Sequence, residues 1–214
     1  MRRTPLFLAG ALVLAGGCAG LPYVLGGADA GAGSASAPGE MSATLRLADG
    51  TDVGTVDVVP HADGLAAVEV ALAVPVDRTT VRAFHGLHVH ANDDPANGEG
   101  CTADPAQPSA SWFTSADGHL KDGAEVHGGH QGDMPPLLVD GQGRASATFT
   151  TDRLPLDRLA GRAVVVHAGP DNLGNIPTGT AEDQYTPNSP AALEKTRNTG
   201  NAGDRLACGV LQTP

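Results

Sequence analysis

The sequence predicts an all-β chain, a sandwich or Greek-key barrel whose chemistry sits in two long loops. Short β-rich segments recur between Gly, Pro, Asp and Asn. Long helical periodicity is nearly absent, and no internal repeat is evident. Two stretches, 92–136 and 169–205, carry no strand pattern. Loops of that length in a compact domain are ordinarily functional.

Each element has its own signal. Residues 42–47 alternate, with Ala43, Leu45 and Leu47 on one side. Asp49-Gly50 then signals a hairpin turn into 53–59. Residues 65–74 alternate around Glu69, and 85–91 is a strand candidate carrying histidines. Residues 137–139, 145–150, 163–168 and 206–211 complete the set. About eight short strands suit a sandwich or Greek-key barrel. A short helix is expected at 191–195, inside the second loop.

The N-terminus is set aside before any fold reasoning. Arg2 and Arg3 form a basic start, and 6–15 is an apolar run too short to span a bilayer. Ala15-Gly16-Gly17-Cys18 resembles a bacterial lipobox, which makes 1–17 a signal peptide and Cys18 a lipidation site. An ordinary cleaved leader with a chance Cys is the alternative, and Arg2-Arg3 leaves a twin-arginine export signal open. The rest of 18–40 is rich in Ala, Gly and Ser and reads as a flexible tether, leaving 41–214 as the folded domain. The expected location is the cell envelope, with the exported chain anchored to the outer face of the membrane but not spanning it.

Three cysteines leave Cys101 and Cys208 once Cys18 is lipidated. An exported chain favours a disulfide between them over two separate buried thiols. The formal charge is −11, and loss of Arg2 and Arg3 with the leader would take it to −13. Such acidity argues against a nucleic-acid partner and against an electrostatic grip on anionic lipid.

The chain has eight histidines, seven of them between 85 and 167. His88-Val89-His90 places two imidazoles on one face of a strand, where they can converge on an ion. His167 ends the apolar run Val164-Val165-Val166. The spacing of His127, His130 and Asp133 gathers three nitrogen and oxygen donors within a short loop stretch, which suits tetrahedral zinc. His119 precedes them in the same loop. His61, in a turn beside Pro60, is expected to be solvated. His85, out of parity with His88 and His90, is expected to be buried and hydrogen-bonded, not a ligand.

Four runs together resemble the copper–zinc superoxide dismutases. They are His85-Gly86-Leu87-His88-Val89-His90, His127-Gly128-Gly129-His130-Gln131-Gly132-Asp133, the run from Val164 through His167-Ala168-Gly169-Pro170-Asp171-Asn172 to Gly174, and the run from Thr199 through Asp204-Arg205-Leu206-Ala207-Cys208 to Val210. The likeness covers roughly 42–212 and implies an eight-stranded Greek-key β-barrel. It implies one copper per chain on His88, His90, His119 and His167, and one zinc per chain on His119, His127, His130 and Asp133. His119 would bridge the two metals. Asp171 would link a copper histidine to a zinc histidine. Cys101 and Cys208 match the family's disulfide.

The activity implied is disproportionation of superoxide to oxygen and hydrogen peroxide at a redox-cycling copper. His119 would help deliver a proton, and Arg205 would dock the anion beside copper. Lys195 and Arg197 are candidates for steering at the channel rim, with plain solvated charge as the alternative. Superoxide would be the one small-molecule partner, and a homodimer is left open. The chain departs from the family pattern in a longer stretch between Cys101 and His119, in Leu120-Lys121-Asp122, and in a short zinc loop. A copper-only enzyme and a non-catalytic metal-binding lipoprotein are the competing readings.

Overall fold

The computed structural model describes residues 39–77, 80–98, 100–174 and 189–214. The expected leader, Cys18 and the tether up to residue 38 lie outside them, as does the stretch 175–188 of the second loop. The strands are β1 (Met41–Arg46), β2 (Asp52–Pro60), β3 (Ala66–Ala73), β4 (Ala83–His85), β5 (Leu87–His90), β6 (Leu137–Val139), β7 (Arg144–Thr151), β8 (Ala163–His167) and β9 (Arg205–Val210). One α-helix, α1 (Pro190–Thr199), interrupts them among the described residues.

Alternation decides which side chains go inside. Met41, Ala43 and Leu45 of β1 are buried, as are Val68, Val70 and Leu72 along β3. They pack with Val56 and Val58 of β2 into one core that also takes Leu87, Val89, Val164 and Val166. Each fully buried Val or Leu contributes about 1.5–3 kcal/mol to stability. At the β1–β2 turn, Gly50 has a φ of 84°, which a side chain would oppose. Asp49 accepts a bond from the Thr51 N–H there at 2.9 Å.

The main sheet runs β5-β8-β9-β1-β2-β3-β7, with every named pairing antiparallel. A second ladder pairs β4 with β6. Chain continuity joins β4 to β5 at Gly86 and β6 to β7 through residues 140–143, so this ladder links the two edges of the main sheet. The links β3→β4 and β7→β8 cross between non-neighbouring strands, as in a Greek key. The single strand expected at 85–91 is bent in two at Gly86. The Gly86 N–H donates to Gly169 O at 2.8 Å, and Gly86 O accepts from the His167 N–H at 2.8 Å. Counted as one bent strand, β4 and β5 restore the expected eight.

Strand β8 serves two clusters by parity. Val164 and Val166 face the main core, while Ala163 and Val165 pack with Phe113, Ala116 and Cys208 beneath the first long loop. The Cys101–Cys208 disulfide ties that loop to β9, with the two Cα atoms 5.5 Å apart. The helix in the second loop is longer than expected because its ends are well capped. Ser189 accepts from the Ala192 N–H, Pro190 occupies the first turn, and Gly200 closes the helix with a φ of 66°.

Candidate metal centre

Strand parity puts Leu87 and Val89 in the core and turns His88 and His90 to the opposite face of β5. The two long loops cover that face, so both imidazoles are fully buried. The first loop returns against the strand, bringing His119 opposite His90 and Asp133 opposite His88. His167 arrives at the end of β8, the strand next to β5.

The ring nitrogens are sorted by their partners. His90 Nδ1 lies 2.7 Å from Asp117 O and His167 Nδ1 lies 3.2 Å from Gly203 O. Each Nδ1 therefore carries the proton and donates it to a carbonyl, which frees Nε2. Those two Nε2 atoms approach to 3.4 Å. His88 Nδ1 and His119 Nε2 are buried with no hydrogen-bond partner. Burying bare imidazole nitrogens is costly, and a cation among them removes the cost. The donor atoms of His88, His90, His119 and His167 all lie within 4.8 Å of one another.

A second group begins at the other nitrogen of His119. Asp133 Oδ1 is 3.0 Å from His119 Nδ1, 3.1 Å from His127 Nδ1 and 3.4 Å from His130 Nδ1. His119 Nδ1 is in turn 3.4 Å from His127 Nδ1 and 3.3 Å from His130 Nδ1. A tetrahedral ion with bonds of about 2.0 Å has ligand–ligand edges of about 3.3 Å, so these atoms fit zinc geometry. Asp133 is aimed by its other oxygen, which accepts the Gly128 N–H at 2.6 Å and the His130 N–H at 3.0 Å. His88 offers an alternative fourth donor, since His88, His119, His127 and Asp133 also gather within 4.8 Å. The spacings of His130 Nδ1, 3.3 Å to His119 Nδ1 and 3.4 Å to Asp133 Oδ1, favour the His130 set.

The electrostatics are those of neutral rings, His127 excepted, beside ionised carboxylates. Burial holds His119 down to about 3 despite its bond to Asp133, and holds His167 down to about 4. Burial likewise lowers His88, and it lowers His90 further. For His127 burial is outweighed by Asp133 and Asp171, which raise it to about 9. Burial opposes ionisation of Asp133 and Asp171 too, but the histidines hold both well below the usual carboxylate range.

Arg205 opens β9 opposite His167. Its guanidinium donates to Phe113 O, and to Asp117 O at 2.5 Å. Two carbonyl acceptors from the first loop thus hold one cation beside the four-histidine group. Burial lowers its proton affinity, an effect the nearby Asp117 opposes.

Sequence comparison places this geometry among known proteins. The family model for copper/zinc superoxide dismutase (SODC) matches residues 53–211. The chain belongs to the copper/zinc superoxide dismutase family. It is 32% identical to the superoxide dismutase [Cu-Zn] of Mycolicibacterium paratuberculosis, over 97% of this chain and 96% of that one. It is 35% identical to the superoxide dismutase [Cu-Zn] of Mycobacterium tuberculosis, over 80% of this chain and 69% of the relative. Among solved structures, the clock protein EA4 aligns with a TM-score of 0.55 at 22% identity, covering 81% of this chain and 94% of that one. A double mutant of a SOD-like protein from Bacillus subtilis aligns with a TM-score of 0.54 at 21% identity, covering 80% and 97%. These two share the fold.

Within the family frame, the structure brings together His88, His90, His119, His127, His130, Asp133, His167, Asp171 and Arg205. His85 stands apart, buried, with Nδ1 2.8 Å from His167 O and Nε2 3.1 Å from Thr80 O. His61 is exposed. Lys195 lines an open cleft of about 770 Å3 with Asp171, Thr199 and Gly203. Arg197 is exposed and does not line that cleft, and its backbone carbonyl accepts the His127 N–H at 2.8 Å. Sequence reasoning passed over Asp117, whose carbonyl serves both His90 and Arg205. The Asp117-Gly118 pair just before His119 was a turn signal that could have drawn attention to it. Gly200 was also passed over, and a Cβ there would lie 2.5 Å from His127 Nε2.

Proposed function

We propose that this chain disproportionates superoxide, with one copper on His88, His90, His119 and His167 and one zinc on His119, His127, His130 and Asp133. The observation that carries the reading is the divided role of His119. Its Nδ1 belongs to the Asp133 group, while its buried Nε2 has no protein partner and belongs to the four-histidine group. One imidazole facing two donor sets is what a metal pair sharing a ligand requires.

Copper held there supplies one-electron redox chemistry and zinc a fixed positive charge, so that two superoxide ions and two protons give oxygen and hydrogen peroxide. The protein supplies the rest. Arg205, fixed by Phe113 O and Asp117 O, presents a permanent cation that docks a small anion. His119 Nε2 is the atom positioned to hold and pass a proton toward the reduced product. Asp171 keeps His88 and His127 in register. The chain is acidic overall, with a formal charge of −11, so attraction of substrate rests on the field close to Arg205, because more distant charges are screened beyond about 8 Å at physiological salt.

The test is metal analysis with a superoxide-decay assay on the same sample. One copper and one zinc per chain with rapid decay supports the proposal. Copper alone with rapid decay means a copper-only enzyme, and bound metal without turnover overturns the catalytic reading. The export motif supports a further proposal, that the mature chain is attached to the outer face of a membrane through lipidated Cys18. Palmitate labelling that survives Cys18→Ser would rule this out. No helix among the described residues is long and apolar enough to cross a membrane.

A further inference from the structure

We propose that Asp117 is a positioning residue whose carboxylate locks the peptide that orients both His90 and Arg205. The inference rests on the metal reading above but concerns a different part of the residue, its side chain. The carbonyl of Asp117 accepts from His90 Nδ1 at 2.7 Å and from Arg205 Nη2 at 2.5 Å. One oxygen therefore fixes the tautomer of a histidine and the aim of the Arg205 cation beside the four-histidine group. Whatever holds that peptide plane sets both.

The backbone would not hold it unaided. Asp117 has φ 62° and ψ −159°, a combination that glycine adopts freely and other residues adopt only when their surroundings enforce it. Here the enforcement is visible. Asp117 Oδ2 accepts the Asp93 N–H at 2.7 Å and the Asp94 N–H at 3.0 Å, and Oδ1 accepts from Asn97 Nδ2. The stretch 92–97 is itself fastened to the barrel. Asn92 Nδ2 donates to Gly161 O at 2.6 Å, Asn92 Oδ1 accepts the Gly100 N–H at 2.7 Å, and Arg162 Nη1 donates to Asp93 Oδ2 at 2.8 Å. A continuous set of bonds thus runs from the β7–β8 crossover through 92–97 into the Asp117 carboxylate. It leaves through the Asp117 carbonyl to His90 and Arg205. Phe113 O would be the remaining anchor of Arg205 if the 117–118 peptide turned away.

The experiment uses the full chain loaded with copper and zinc, comparing Asp117→Gly, Asp117→Asn and Asn97→Ala with the parent. Glycine relieves the backbone and removes the lock, whereas asparagine keeps one acceptor oxygen. The readouts are metal content, azide affinity as a probe of Arg205, and hydrogen exchange of the His90 Nδ1 proton in the reduced, diamagnetic protein. Asp117→Gly is expected to retain both metals, to speed His90 Nδ1 exchange about tenfold or more, and to weaken azide about fivefold. Asn97→Ala should move both readouts the same way by less, and Asp117→Asn should fall between the parent and Asp117→Gly. Parent-like exchange and azide affinity in Asp117→Gly overturn the proposal. If Asp117→Gly does not fold, parent-like exchange in Asn97→Ala overturns it instead. A parent chain that takes up no copper defeats the metal reading. The exchange comparison then still decides the role of Asp117, because it can be read in the metal-free chain.

Discussion

Asp171 Oδ1 lies 2.9 Å from His88 Nε2. The same oxygen is 3.5 Å from His127 Nε2, so one carboxylate spans the two donor groups. Removing it frees a ring in each. Asp171→Ala is expected to weaken zinc affinity about 10–100-fold, the usual cost of losing such an outer partner. Competition with a chelator measures it, and parent-like affinity would show that the bridge is idle. Gly86→Ala should disturb the same place by volume alone, because its Cβ would lie 2.8 Å from Asp171 Oδ1 and 2.9 Å from His88 Cε1.

The zinc group offers a choice between His130 and His88 as fourth donor. His130→Ala is expected to abolish stoichiometric zinc while leaving copper bound. His88→Ala is expected to lose copper first. Cobalt substituted for zinc reports the coordination by its visible absorption. A tetrahedral cobalt spectrum that persists in His130→Ala and vanishes in His88→Ala would reverse the assignment.

Arg205 is predicted to act on substrate and not on metal retention. Arg205→Glu should lower superoxide decay at low ionic strength about tenfold or more, with copper content unchanged. The salt dependence should flatten or change sign, because the local attraction is gone. Equal losses of copper and activity would remove the steering role.

Metal-free stability should fall on both sides of neutrality. His119 and His167 are held down to about 3 and 4 by burial, so the unfolded chain binds their protons first. Their contribution is complete above about pH 6.5 and is lost as pH falls from there toward 4 and 3. His127 is raised to about 9, so its contribution is present below about pH 6.5 and is lost as pH rises through 9. Thermal unfolding of the metal-free chain from pH 4 to 9.5 measures both limbs. His127→Gln should flatten the alkaline limb, and an acid limb that rises instead of falling would contradict the buried neutral histidines.

The Cys101–Cys208 bond closes a loop with a sequence separation of 107. Loop-closure entropy for that size gives about 4–5 kcal/mol. At roughly 2–4 °C per kcal/mol for a domain of this size, Cys101→Ser should lower the metal-free melting temperature by about 10–20 °C. A change of only one or two degrees would mean that the disulfide contributes little to stability.

The sequence by itself determined the strand segments, the parity of His88 and His90, and the separation of His85 from the clustered histidines. Each is local: alternation along a strand assigns a face two residues at a time, whatever lies opposite. The donor types of the zinc group were equally legible, because His127, His130 and Asp133 share one short stretch. Tertiary structure decided the rest. The bend at Gly86 depends on Asp171 and Gly169, which reach it from beyond β8. Arg197 enters through its carbonyl, which accepts the His127 N–H, and Asp117 through a carbonyl shared by His90 and Arg205, and main-chain groups carry no signature of residue type. Asp117 meets His90 across 27 residues and Arg205 across 88, and only the closed barrel, with its loop fastened by Cys101 and Cys208, brings those groups within hydrogen-bonding reach.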